Sequence, residues 1–279
     1  MMRPADRRQA VQHAQEAFGL SERSACSALG FPRASHRYQS LRVDAPELVA
    51  KLQKLAIERP RFGYRRLYIL LRRAGVVVNH KRVYRLYHLL GLTVRVKRRK
   101  RLVASPRVAP RPPTRPGQRW SMDFVCDHTA EGFRFRVLTL VDDFSRRSPG
   151  LLVERSIGGG RVVRFLEELA RVNGYPETIV IDNGPEFVSN ALDQWAHGHS
   201  VQLHFIRPGR PVENAFIESF NGKFRDECLN ANWFHGLEHA REVVSEWLED
   251  YNERRPHSSL GGLTPMEFER TQERTSSLA

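Results

Sequence analysis

Apolar residues recur at two different spacings along this chain, and the spacing changes near residue 120. Up to about residue 92 they recur every three or four positions, which is the period of amphipathic helices. From Trp120 onward, short apolar runs bounded by turn residues predict strands, and longer periodic segments between them predict helices. The pattern therefore predicts a helical first part and a second part that mixes strands with helices.

The first helical group is predicted over residues 1–42. It contains an Ala/Gln-rich helix from about Arg7 to Phe18, a short helix that Ser21 can cap, and a third short helix that begins at Arg33. Such a group fits a helix-turn-helix, in which Arg33 and Arg37 would face the major groove of DNA. An ordinary three-helix bundle with a solvated basic face fits the pattern almost as well.

The second helical group is predicted over residues 43–94, with three amphipathic helices. Asn79 can cap the last of these, and Gly91 can end it. The faces opposite the apolar stripes are rich in arginine and nearly free of acids, so we expect them to contact DNA. These faces carry Arg61, Arg65, Arg66, Arg72, Arg73, Lys81, Arg82 and Arg85, of which Arg65, Arg66, Lys81, Arg82 and Arg85 are the expected DNA contacts.

Residues 95–119 are basic and rich in proline, and they predict an extended linker. The catalytic part is expected over residues 120–279. Its pattern of three consecutive strands, followed by alternating helices and strands, predicts a mixed five-stranded sheet flanked by helices, an α/β fold. The five strands are expected at about 120–127, 133–141, 149–154, 178–181 and 201–206, with helices after Gly158, at 186–196, around Glu218 and at 237–251.

Charge is distributed unevenly along the 279 residues, whose formal net charge is +14. Residues 1–119 carry 28 Lys and Arg against 6 Asp and Glu, whereas residues 120–279 carry 17 against 25. A strongly basic segment indicates a polyanion partner, because each neutralised phosphate releases counterions. A membrane surface is the rival partner, but the basic half lacks the aromatic face of an interfacial helix. Nucleic acid is therefore the expected partner.

No apolar run approaches the length of a transmembrane span, and the first residues lack the apolar stretch of a signal peptide. We expect a soluble cytoplasmic protein with no membrane partner. Cys26, Cys126 and Cys228 are far apart in sequence, without the spacing of a zinc site or a disulfide framework. They are expected to be small buried apolar residues in a reducing compartment.

Three acidic residues stand where a carboxylate is costly without a purpose. Asp123 lies within the apolar run WSMDFV, Asp182 follows Thr-Ile-Val-Ile at the end of a predicted strand, and Glu218 lies on a predicted helix. A carboxylate among apolar strand residues must be paired, hydrogen-bonded or bound to a metal. Carboxylate oxygens are the ligands that Mg²⁺ prefers, and paired ions of this kind catalyse phosphodiester chemistry.

Each of these residues also has an ordinary structural interpretation. Asp182, before Asn-Gly, could be a turn residue, and Glu218 could be a surface glutamate. Asp142 and Asp143 form a competing acidic pair at the end of the second predicted strand. Ser148-Pro149-Gly150 is expected to break the third predicted strand.

The spacing of the three carboxylates leads to a family resemblance. Thirty-five residues separate Asp182 from Glu218, and Arg225 follows Glu218 by seven positions. With this spacing, the chain resembles the retroviral-integrase-like transposases of bacterial insertion sequences, in the branch encoded in two overlapping frames. The resemblance is to the downstream, catalytic frame. It rests on the strings WSMDFV, VDDFSR, IDNGPEF, FIRPGRPVENAFIESFNGKFRDECLN and DYNERRPHSSLGGLTPMEF, and on RFGYRRLYILL and VNHKRVYRLYHLLGL in the helical part.

The resemblance implies a ribonuclease H-like integrase core in which Asp123, Asp182 and Glu218 are catalytic and bind two Mg²⁺ ions, for which Mn²⁺ could substitute. It implies that Arg225, helped by Lys223, contacts DNA near the site. Expected partners are the terminal repeats of the element, target DNA, a protein from the upstream frame and further copies of this chain, acting at the nucleoid. Asn183, Asn214 and His257 match family motifs and are expected to support the site or contact DNA.

Two other functions remain open at the level of sequence. One is a DNA-binding regulator that has kept the fold and lost catalysis. The other is a nuclease acting on RNA·DNA hybrids, which would explain neither the helix-turn-helix-like start nor Arg225.

Overall fold

The computed structural model describes residues 4–38, 44–94, 112–207 and 214–276. The chain forms two compact units, Met1–Ala50 and Lys51–Ala279. Most of the predicted linker, residues 95–111, lies outside the described residues.

The first unit contains the three short helices that its sequence predicts. The side chain of Ser21 accepts a hydrogen bond from the Ser24 backbone N–H at 3.1 Å, so the expected N-cap is confirmed. A small apolar cluster holds these helices together and consists of Val11, Ala25, Cys26 and Phe31. The helices are α1 (Pro4–Phe18), α2 (Glu22–Ala28) and α3 (Arg33–Arg37).

Three amphipathic helices follow, as predicted. They are α4 (Pro46–Glu58), α5 (Tyr64–Arg73) and α6 (His80–Leu89). Asn79 caps α6, since its side chain accepts a hydrogen bond from the Lys81 backbone N–H at 2.9 Å. Leu67 and Leu71 of α5 are fully buried, and so is Val83 of α6. Helices α5 and α6 belong to the same compact unit as the sheet described next.

A five-stranded mixed sheet forms the centre of this unit, which confirms the predicted α/β architecture. The strand order is β3-β2-β1-β4-β5. Strand β2 pairs antiparallel with both β1 and β3, whereas β4 pairs parallel with both β1 and β5. The strands are β1 (Arg119–His128), β2 (Arg134–Asp142), β3 (Leu151–Glu154), β4 (Thr178–Ile181) and β5 (Gln202–Phe205).

Side chains of successive strand residues point to opposite faces of the sheet, and helices cover both faces. Met122 and Leu138 pack in a core with α7 and α8, whereas Val125 and Val137 pack in a second core with α9 and α10. The remaining helices are α7 (Gly159–Asn173), α8 (Asn190–Gly198), α9 (Ala215–Glu227), α10 (Leu237–Glu253) and α11 (Pro265–Ser276).

The expected damage to the third strand is not seen in the sheet. Strand β3 begins directly after Gly150 and pairs with β2 through all four of its residues. The backbone of Ser148 exchanges two hydrogen bonds with the Asn252 side chain, at 3.0 and 2.9 Å. A Cβ atom at position 150 would lie 2.7 Å from the Leu169 side chain, so glycine permits the close packing of α7.

Two predicted boundaries were wrong. The linker was expected to continue to Arg119, but Arg119 opens β1, and the Gly117 backbone N–H already donates to Asp142 Oδ2 at 2.8 Å. Helix α8 starts at Asn190 instead of Glu186 because Ser189 is its N-cap, with a side chain that accepts from the Leu192 backbone N–H.

Across the described ranges, no helix is both long enough and apolar enough to span a lipid bilayer.

Candidate active site

Asp123 lies in the middle of the central strand, on the sheet face that α9 covers. Its Oδ2 atom accepts a hydrogen bond from Asn221 Nδ2 at 2.8 Å, and its Oδ1 atom accepts one from the Phe124 backbone N–H at 2.7 Å. The side chain is half-buried. Both carboxylate oxygens are therefore held in place by donors from two different elements.

Asp182 directly follows β4, the parallel neighbour of β1. Ser121 pairs with Val180 at the end of this ladder, and Asp123 and Asp182 each follow two residues later in the chain. The negative charge of Asp182 acts on Asp123 and raises its pKa, so the two carboxylates are close enough to interact. Asp182 Oδ1 also accepts a hydrogen bond from the Gly184 backbone N–H at 3.0 Å.

Glu218 is exposed in the first turn of α9. The same helix buries Ile217, Phe220 and Phe224 against the sheet. Asn214 fixes the start of the helix, since its Nδ2 donates to the Met122 backbone carbonyl at 3.2 Å. The helix therefore presents Glu218 at the edge of the core, near the strand that carries Asp123.

The charges of Asp182 and Glu218 both act on Asp123. Burial raises the pKa of Asp123, and the negative charges of Asp182 and Glu218 raise it further, against the hydrogen bonds from Phe124 and Asn221. In the described parts of the chain, no three His, Cys, Asp or Glu side chains are grouped tightly enough to hold a metal ion as they stand. The donor chemistry nevertheless fits a hard divalent cation, because carboxylate oxygens around such an ion lose their mutual repulsion.

Sequence reasoning placed Asn221 beside Glu218 at helical spacing but did not identify its partner. Thr139 Oγ1 donates to Asn221 Oδ1 at 2.8 Å, and Asn221 then donates to Asp123. Thr139 stands opposite Asp123 in the β1–β2 ladder and is fully buried. The three residues link β2, α9 and β1. The available signal was the position of Asn221, one helical turn after Glu218.

The competing acidic pair has a structural role. Asp142 Oδ1 accepts hydrogen bonds from the Phe144 and Ser145 backbone N–H groups, at 3.0 and 2.6 Å, and so closes the turn after β2. Asp143 pairs with Arg119 Nε at 2.6 Å, and burial raises the pKa of Asp143 to about 6. Both carboxylates have protein partners.

Arg225 and Lys223 lie on different sides of α9. Arg225 is exposed and shares a side with Glu218 and Asn221, and its Nη2 donates to the Cys126 carbonyl at 3.4 Å. Lys223 instead donates to Ser219 Oγ at 2.9 Å. Burial, together with the charge of Arg255, lowers the pKa of Lys223 to about 8. The structure thus brings Arg225, and not Lys223, to the side that carries the acidic residues.

The other expected DNA contacts are distributed over both units. Arg33 and Arg37 both donate to Glu22 Oε1 at 2.9 Å within the first unit. Arg65 is exposed on α5 and donates to Tyr64 at 3.3 Å, whereas Arg66 donates to Glu227 at 3.2 Å. On α6, Lys81 and Arg85 are exposed and Arg82 is half-buried.

Three residues that match family motifs stabilise the local structure. Asn183 Nδ2 donates to the Ile206 carbonyl at 2.8 Å, and Asn214 holds β1 as described above. His257 is buried, with Nε2 3.2 Å from the Tyr251 carbonyl, and burial lowers the pKa of His257 to about 3. His257 is therefore neutral and packed in the interior.

Family models match three segments of the chain. Two descriptions of an integrase core domain match residues 113–211 and 199–265, and a description of an HTH-like domain matches residues 44–100.

Relatives from insertion elements match most of the chain. It is 48% identical to the insertion element IS407 uncharacterized 31.7 kDa protein of Burkholderia multivorans, over 91% of this chain and 92% of that protein. It is 29% identical to the transposase for insertion sequence element IS904 of Lactococcus lactis, over 75% of this chain and 88% of that protein.

The fold also resembles a chain of the simian T-cell lymphotropic virus intasome, solved in complex with PP2A regulatory subunit B56 gamma. The TM-score is 0.50 at 16% identity, over 78% of this chain and 74% of that chain. This similarity supports a ribonuclease H-like integrase fold for the sheet and its helices.

Proposed function

Because the chain belongs to the integrase-core family of insertion-element transposases, we propose that it cleaves the ends of an insertion element and joins the freed 3′-hydroxyl to a target phosphodiester. The observation that supports this proposal is that Asp182, which follows β4, and Glu218 on α9 both act electrostatically on Asp123 of β1.

These three carboxylates would hold the divalent ions, Mg²⁺ in the cell with Mn²⁺ as a substitute. A pair of such ions activates the attacking water or 3′-hydroxyl and stabilises the leaving oxygen of an in-line displacement. Oxygen donors suit a hard cation. A half-buried carboxylate that neighbouring negative charges repel is stabilised most by such a cation.

Other residues of the chain hold the carboxylates in position. Asn221 and the Phe124 N–H fix the two oxygens of Asp123, and the Gly184 N–H fixes one oxygen of Asp182. Positioning of this kind lowers the barrier because the reacting groups lose less freedom in the transition state. No protein nucleophile is needed, so neither Cys126 nor Cys228 has a catalytic role.

Arg225 would bind a phosphate of the element end beside the acidic site, since it is exposed on the same side of α9 as Glu218. Lys81, Arg82 and Arg85 on α6 would contact the terminal repeat at a distance from the chemistry. Assembly of several copies on paired DNA ends, with a protein from the upstream frame, completes the proposal.

The direct test uses a labelled duplex that carries the terminal repeat of the element. The wild-type chain, with the upstream-frame protein added, is expected to nick the element end only when Mg²⁺ or Mn²⁺ is present, and Asp182→Asn should abolish the nick. A DNA-binding regulator would bind the duplex equally with and without metal and leave it uncut. Preference for an RNA·DNA hybrid would instead support a nuclease.

A further inference from the structure

Four arginines between residues 59 and 73 face carboxylates of the catalytic part within the second unit. Arg59 Nη1 donates to Asp250 Oδ2 at 2.7 Å, and Arg73 Nη2 donates to Glu267 Oε2 at 2.6 Å. Between them, Arg61 pairs with Asp226, and Arg66 Nη1 pairs with Glu227 Oε1 at 3.2 Å. Three arginines of the basic face expected to bind DNA, namely Arg61, Arg66 and Arg73, are therefore paired within the chain.

Glu227 lies at the centre of these contacts between the arginines and the catalytic part. Arg255, which is only 1% exposed, donates from Nε and Nη2 to the two oxygens of Glu227, both at 2.6 Å. Bidentate pairing with a buried arginine leaves the carboxylate little freedom. Arg66, on α5, donates one further hydrogen bond to Glu227. The Phe62 ring lies 5.1 Å from the Arg66 guanidinium and 5.8 Å from the Arg255 guanidinium. Phe62 is itself buried.

Asp226 and Glu227 are the last two residues of α9, the helix that presents Glu218. Asn221 holds the middle of this helix to Asp123, and Asn214 holds its start to β1. Arg61 and Arg66 thus hold a third point of α9, its C-terminal end. An α-helix moves as a unit, so a shift of this end changes where Glu218 lies relative to Asp123 and Asp182.

We infer that Arg61 and Arg66 are positioning residues for strand joining, which set the placement of Glu218 by holding the end of α9 through Asp226 and Glu227. The inference rests on the proposed function and goes beyond it, because it assigns to the HTH-like segment a role in the active site besides DNA binding. A guanidinium that donates to a carboxylate has fewer N–H groups left to donate to a phosphate.

The Arg61–Asp226 pair allows a charge swap that separates positioning from DNA contact. Asp226→Arg should lower metal-dependent joining roughly 10- to 100-fold, because small displacements of catalytic groups cost this much. Binding of the terminal repeat, measured by fluorescence anisotropy, should be unchanged or tighter, since positive charge is added. Adding Arg61→Asp to this variant should restore joining to within about threefold of wild type, because the ion pair re-forms with reversed sign.

Two results would contradict the inference. If Arg61 acts by touching DNA, the double variant will join no faster than Arg61→Asp alone. Joining by Asp226→Arg at the wild-type rate would also overturn it. Glu242→Arg, which makes the same charge change at an exposed position of α10, is the control and should join normally.

If Asp226→Arg does not fold, the neutral variants Arg61→Gln and Asp226→Asn form a double-mutant cycle. Coupled losses in joining support positioning, and independent, additive losses contradict it. Failure of the proposed function is distinguishable, because the wild-type chain would then give no joined product at all.

Discussion

Asn221 Nδ2 lies 2.8 Å from Asp123 Oδ2, a hydrogen bond that joins the middle of α9 to the middle of the central strand. It spans 98 residues of sequence and places the helix of Glu218 against the strand of Asp123. This contact would help to position the carboxylates of the proposed site.

Replacing Asn221 with leucine should weaken metal binding. The change removes the donor to Asp123 and the acceptor for Thr139, and partners that orient a metal ligand typically contribute 10- to 100-fold in affinity. A Mg²⁺ titration of end cleavage should show a half-maximal concentration raised by roughly this factor, with activity partly recovered at high metal. The matched change Asn230→Leu, at an exposed position after α9, should leave the titration unchanged, and an unchanged Asn221 variant would remove Asn221 from the site.

Asp123→Asn should stabilise the metal-free protein and prevent stabilisation by metal. The pKa of Asp123 is raised in the folded state by burial and by its acidic neighbours, so its ionised form opposes folding, and this penalty is fully present above the raised pKa. In thermal unfolding at neutral pH without metal, the variant should melt at a higher temperature than wild type. Added Mg²⁺ should raise the melting temperature of wild type and hardly change that of the variant; equal responses would contradict a metal site at Asp123.

His257 should make stability fall in mild acid. The folded state keeps this buried histidine neutral, with a pKa of about 3, whereas the unfolded chain protonates it near 6.5. Its contribution is complete above pH 6.5 and is lost as the pH falls toward 3. The advantage of wild type over His257→Gln in the free energy of unfolding should shrink by about 1.4 kcal/mol per pH unit between pH 6.5 and about 3. Urea unfolding at about pH 7.5, 6 and 5 measures this, and parallel profiles would rule it out.

Cys126 should react with thiol reagents before the other cysteines. The expectation that all three are buried was wrong for Cys126, which is half-exposed, whereas Cys26 and Cys228 are buried and burial raises the pKa of Cys228 to about 12. N-ethylmaleimide should modify one thiol rapidly in the native protein. Cys126→Ser should resist the reagent. Rapid modification of two or three thiols would contradict the structure.

The sheet could be predicted because its strands are continuous apolar runs and its helices are periodic. Ser21 and Asn79 carried cap signals that the structure confirms. Helix α8 was placed four residues early because apolar periodicity extends past its true start, and Ser189 was not recognised as the cap. Gly150 was interpreted as a strand breaker because sequence does not show the Leu169 side chain that packs there.

The candidate site was only partly predictable. Asp123 could be singled out because a carboxylate in an apolar run is costly, and Asp182 and Glu218 because their spacing and flanking motifs resemble those of the family. The partners of Asp123 could not, because side-chain contacts between distant residues leave no local pattern. The partners of the arginines could not be predicted either. An exposed basic face predicts a polyanion, but Arg66 meets Glu227 across 161 residues of the same chain, and sequence alone cannot distinguish a phosphate from a carboxylate of the chain itself.

Strand joining on a labelled duplex with the terminal repeat of the element, compared between wild type and Glu218→Gln, tests the central claim most directly. The substitution keeps the size of the side chain and removes its charge, so folding and DNA binding should be preserved, while Mg²⁺-dependent joining should fall by at least about a thousandfold. Joining by the variant at the wild-type rate would show that Glu218 holds no catalytic metal and that the proposed site is wrong.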